Sequence, residues 1–157
     1  MGFITAGHGL QLNSTFGVGT VRRHHIGGTV DAAWVQINSN VNVSNAVGHG
    51  QNLSSSFNNN FTTGRPVQKI GASSGITFGT IQSTSAGHAG LINLIRTDAY
   101  SARGDSGGAV FTGNILMINP IVYGIVIGGL NPSGHGMIFG RATNIFAHPQ
   151  FSDLSRY

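Results

Sequence analysis

The chain contains no cysteine, and its four acidic residues are all aspartates. Without thiols there is neither a disulfide framework nor a thiolate metal ligand, so packing alone must hold the fold; a reducing compartment is compatible with this, though not required by it. Charge of either sign is scarce, at 8% of residues against roughly 25% in an average domain, which leaves solubility to Asn, Ser, Thr and Gly. The eight Lys and Arg residues outnumber the acids and give a net charge of +4. No apolar run reaches the roughly 18 residues of a membrane-spanning helix, which excludes a helical membrane protein. Met1 leads at once into a short apolar segment, without the basic stretch and longer apolar core of a signal peptide. The one basic cluster, Arg22-Arg23-His24-His25, has no aromatic platform or basic helix beside it, so it reads as a solvated loop and nucleic acid is not an expected partner. His24, His25, His49, His88 and His148 show no metal-ligand spacing such as His-Glu-x-x-His and read as polar surface or loop positions. No cofactor is expected. Sequons at Asn13, Asn42, Asn52 and Asn60 are explained by chance in a chain so rich in Asn, Ser and Thr.

What is present is glycine, 25 residues of it beside 4 prolines, together with many short runs of Val, Ile, Phe and Thr. That composition predicts an all-β fold with tight turns, and 157 residues suit one domain that buries about 68–70% of its unfolded surface. Strands are expected over residues 2–6, 29–37, 67–70, 76–81, 91–95, 110–111 and within 117–130. Residues 71–75 close a glycine-flanked hairpin. The polar stretch 38–60 reads as a bridge between two lobes. Helix is confined to a pattern from about Thr143 to Tyr157, which Pro149 interrupts.

The stretch Gly104-Asp105-Ser106-Gly107-Gly108 carries the chemistry. Glycines on both sides of a serine allow a tight turn whose amides converge on one spot, and the amides of Gly104 and Ser106 would form an oxyanion hole. A serine needs a histidine base and an acid to orient that base. His8 ends the apolar run Phe3-Ile4-Thr5-Ala6-Gly7, and Asp31 opens Asp31-Ala32-Ala33-Trp34-Val35. For each residue a plainer reading exists: a turn serine, a structural histidine, an edge-strand acid.

With these three segments in this order, the chain resembles the chymotrypsin-like (trypsin-fold) serine peptidases, and its segment from Val67 to Ile81 looks most like the bacterial alpha-lytic protease and streptogrisin branch. The resemblance implies two six-stranded antiparallel Greek-key barrels, at about 1–60 and 61–142, followed by a short helix at about 143–157. Only seven residues precede His8, so the first barrel is expected to be incomplete. The exposed edge this leaves would be filled by a missing N-terminal segment or pro-region or by another chain, or else belongs to a reduced lobe. The implied activity is a serine endopeptidase with the triad His8, Asp31 and Ser106, a peptide or protein substrate, and secretion. The family's disulfide positions hold Gly9, Gln68 and Phe78.

The same resemblance assigns Asp105 a structural role, paired with Lys69. It implies that Ile127-Gly128-Gly129 pairs with an extended substrate, with Ile127 standing where the family commonly has a serine that helps to hold the acid. Tyr100, Ser101, Ala102, Gly128, Gly129 and the region from His135 to Phe139 would line the specificity pocket. No acid stands at its base, so apolar or small side chains are expected rather than Arg or Lys; His135 could instead favour an acidic one. The competing readings are an inactive trypsin-fold binding protein or an incomplete fragment. A third, weaker reading is an esterase-like hydrolase, against which the α/β-hydrolase order of serine, acid and histidine argues.

Overall fold

Strand β4 (Val30–Ile37) is buried on both faces and sits inside a four-stranded sheet of order β1-β4-β3-β2, with β1 at Gly2–Thr5, β2 at Thr15–Phe16 and β3 at Gly19–Gly27. Its side chains alternate between two cores, as a pleated strand requires. Ala33 and Val35 pack with Val21, Phe3 and Leu10. Val30, Ala32 and Trp34 meet Ile4, Ile125, Ile145 and Phe151. This computed structural model describes residues 1–44, 46, 52–112, 120–130 and 135–154.

The cluster from Arg22 to His25 is not a solvated loop. It forms part of β3, paired residue by residue with β4 from Arg23↔Trp34 to Gly27↔Val30, with a register shift between Val21 and Arg23. Pairing with the apolar β4 overrides the polar composition. Arg23 then reaches the C-terminal tail: its guanidinium pairs with Asp153, donates to Gln150 O at 2.9 Å, and lies 5.5 Å over the Trp34 ring.

The second lobe is a closed barrel of order β10-β7-β6-β5-β8-β9. Its strands are β5 (Pro66–Gly71), β6 (Gly75–His88), β7 (Leu91–Thr97), β8 (Ala109–Thr112), β9 (Val122–Gly129) and β10 (Met137–Arg141). Its interior holds Val67, Ile81, Ile95, Val110, Tyr123, Val126, Met137 and Phe139. The uniformly apolar run of β9 fits its place between β8 and β10. The expected strand segment 117–119 lies outside the described residues. The architecture is all-β and trypsin-like, with one closed barrel and, among the described residues, an open sheet in place of the other.

Helix α1 spans Ala142–Ala147 and ends before Pro149, with His148 extended at φ −72 and ψ 135, as the residue before a proline is pushed to be. Ile145 and Phe151 bury the helix and tail between the lobes. Among the described residues no helix is long and apolar enough to cross a membrane. The core makes a paired prediction. Phe139→Ala, at a side chain with 0% exposure, costs about 3–5 kcal/mol, while the exposed Ile92→Ala stays within about 0.5 kcal/mol of wild type; urea denaturation of both variants checks this.

Candidate active site

Asp31 is 2% exposed, and three donors satisfy it. The Gly7 and His8 amides donate to Oδ1 at 2.7 and 2.8 Å, and His8 Nδ1 stands 2.5 Å from Oδ2. Nδ1 must carry the proton in this contact, because the buried carboxylate only accepts; the other ring nitrogen, Nε2, is then the basic one. The side chain of His8 is 43% exposed, so the ring opens to solvent while its partner does not. β1 and β4 place the pair: Thr5 pairs with Ala33, which brings the turn after β1 over the start of β4.

Ser106 follows a loop in which Gly104 and Gly107 take φ of +98° and +86°, backbone conformations that favour glycine. Gly107 is also the point of contact with β1, since a Cβ there would fall 1.9 Å from Thr5 Oγ1. The serine loop is thus packed against the strand that presents His8. The Ser106 hydroxyl donates to Ile127 O at 3.0 Å; among the described residues it is not bonded to His8. The amides of Asp105, Gly107 and Gly108 donate to Ala102 O, Val126 O and Asp105 O. Those of Gly104 and Ser106 have no acceptor among the described residues.

Asp105 and Lys69 are both fully buried, with Nζ 2.7 Å from Oδ2. Ser73 and Ser74 amides donate to Oδ1 at 2.9 and 3.0 Å, while the Ser74 hydroxyl and the Ala102 amide donate to Oδ2 at 2.5 and 2.9 Å. Burial on its own raises the Asp105 pKa, but the bonds from Lys69, Ser74 and Ala102 outweigh it and hold the carboxyl well below the usual carboxylate range. Gly71 leaves the space, because a Cβ there would lie 2.4 Å from the Asp105 carboxyl carbon. The roles of Ser73 and Ser74 were missed in the sequence, where residues 71–75 read only as a hairpin.

The other named residues fall as follows. Tyr100 is exposed and meets His135 edge-on at 6.2 Å between ring centroids. Ser101 is buried, its Oγ without a partner among the described residues, and Ala102 is half-buried beside Asp105. Ile127 turns its side chain into a cluster with Leu91, Leu94 and Ile138, and it makes no bond to Asp31 among the described residues. Gly128 and Gly129 pair with Ile138 and Met137 of β10, and His88 Nε2 lies 3.6 Å from where a Gly128 Cβ would sit. Beyond His135 the expected pocket wall is barrel core, with Met137 and Phe139 at 0% exposure. Gln68 is buried against Thr112 O, and Phe78 is exposed. His24 is half-buried rather than a surface group, and His25 packs against His148 in a tilted contact with ring centroids 4.0 Å apart; His49 lies outside the described residues. No group of three or more potential metal-ligating side chains occurs among the described residues.

No protein-family profile matches the chain. It is 31% identical over 129 residues to serine protease 1 of Streptomyces fradiae, a match covering 73% of this chain and 36% of that protein. It superposes on Cellulomonas bogoriensis chymotrypsin with a TM-score of 0.74 and 27% identity, covering 93% of this chain and 81% of that one. Thermobifida fusca protease A gives the same score at 29% identity, with 93% and 80% covered. The chain belongs to the chymotrypsin-like serine peptidases. It spans about a third of the length of the curated relative.

For a member of this family, the Asp105 pair makes a prediction about acid stability. The folded pKa of Asp105 lies below its unfolded value, so the stabilisation is complete above the ordinary carboxylate range and is lost as pH falls towards the folded value. Lys69→Met should therefore destabilise the chain by about 3–5 kcal/mol near neutrality by stranding a buried charge. It should also flatten the loss of stability below about pH 4. Urea titrations across that range, on wild type and variant, check both.

Proposed function

We propose that the chain is a serine endopeptidase acting through Ser106, His8 and Asp31. The observation that carries this reading is the buried Asp31 bonded to both the backbone and the ring of His8, on a strand packed against Gly107 beside Ser106. His8 Nε2 takes the Ser106 proton as Oγ attacks the scissile carbonyl, and the new oxyanion sits on the free amides of Gly104 and Ser106. His8 then hands the proton to the leaving amine, and water repeats the sequence on the acyl-enzyme. In this cycle the Ser106 hydroxyl turns from Ile127 O to His8; apo geometry of this kind is common before substrate tightens it. An extended peptide would lie along Ile127-Gly128-Gly129 with its side chain towards Tyr100, Ser101 and Ala102. No acid is among these residues, which disfavours Arg and Lys. An extracellular site of action belongs to the same reading.

One observation favours a second reading, a trypsin-fold binding protein without turnover: the Ser106 hydroxyl bonds a carbonyl rather than the base. Hydrolysis of an unbiased peptide library decides between them. Wild type should cleave, Ser106→Ala and His8→Ala should each lose on the order of 10⁴–10⁶ in kcat, and Asp31→Asn about 10⁴. A folded wild type that binds peptides and cleaves none would establish the second reading.

A further inference from the structure

His24 lies on β3 opposite Ala33 of β4, and its Nε2 is 3.0 Å from the carbonyl oxygen of Gly7. A carbonyl oxygen only accepts, so this nitrogen carries the hydrogen and the ring is a donor there. Gly7 is the residue immediately before His8. Its amide donates to Asp31 Oδ1, and its carbonyl also accepts from Leu10 N at 3.0 Å. The peptide that presents His8 is therefore gripped at both ends, and His24 is the one side chain among the described residues that holds it from outside β1, β4 and their turn.

The grip has a reason to exist in this chain. Among the described residues, all three bonds to Asp31 come from Gly7 and His8 themselves. Ile127 has no side-chain donor and faces an apolar cluster, so the second barrel adds nothing through it. The remaining freedom is drift of the whole Gly7–His8 turn, with its exposed ring, relative to the sheet. A bond from β3 to Gly7 O removes that freedom. Neighbouring side chains on β3 do other work: Arg22 bonds Gln36 and Asn13, Arg23 pairs with Asp153, and the His25 ring packs at a tilt against His148.

We infer that His24 is a positioning residue of the active site, acting through the Gly7 carbonyl to hold His8 and Asp31 in register. The inference rests on the proposed peptidase reading for its kinetic consequence but not for its structural one. His24→Phe and His24→Met keep bulk and remove the donor; His24→Gln restores an amide N–H at a similar reach. Expected for both non-donating variants is a fall in kcat of about tenfold with KM unchanged, since small misplacement of a catalytic group is costly in rate. The low-field proton NMR signal of His8 Nδ1–H, bonded to Asp31, should shift or broaden in both. His24→Gln should recover rate and signal together. His25→Gln, on the tail-facing side, should lower the melting temperature and leave kcat and the signal alone.

The inference is overturned if the non-donating variants keep wild-type kcat and an unchanged Nδ1 signal. It is equally overturned if His24→Gln is as impaired as His24→Phe at equal stability, which would make the effect one of packing. If the wild type shows no turnover yet its Nδ1 signal is lost in His24→Met and regained in His24→Gln, the peptidase reading fails and the positioning role stands.

Discussion

Asp105 is a carboxylate with no solvent exposure, and the geometry around Ser106 depends on how its charge is satisfied. A buried ion pair is only useful when every remaining lone pair is also met. Here Lys69 supplies the opposite charge from β5, the β5–β6 hairpin supplies two amides and a hydroxyl, and Ala102 supplies a third amide from the serine loop itself. These contacts pin the loop to the barrel at the residue before Ser106. With no cysteine in the chain, this polar knot does the work of a covalent cross-link, and Gly71 is small because the carboxylate needs the room.

The loop would be idle without the other lobe. Gly107 touches Thr5, so the barrel's serine and the sheet's histidine strand meet at a contact that tolerates no side chain. Around it, Ile125 from the barrel and Val30, Ala32, Ile145 and Phe151 from the sheet, helix and tail form one apolar cluster. Arg23 locks the tail across β3. Packing between lobes, rather than either lobe alone, therefore sets the distance between His8 and Ser106.

Much of this was legible in the residues. The strands of the barrel follow runs such as Ile121–Ile127, and the Lys69–Asp105 contact could be named from the family resemblance of the two segments that carry it. What composition hid depends on tertiary pairing. The segment Arg22–His25 looks like solvent-facing loop until β4 pairs with it, and only then does His24 reach Gly7. Ser73 and Ser74 are unremarkable hairpin residues until the serine loop folds onto them. Residues beyond His135 are a similar case: in sequence Met137 and Phe139 fit an apolar pocket as well as a core, and it is the pairing of β10 in the barrel that buries both side chains.

The central claim is that Ser106 and the His8–Asp31 pair act as one unit although the hydroxyl rests on Ile127 O. A fluorophosphonate probe with intact-mass detection and peptide mapping tests it most directly, because the serine must be activated by the histidine to react. The account predicts one adduct per chain, on Ser106, absent in folded His8→Ala. A folded wild type that stays unmodified, or one modified at another serine, would contradict it.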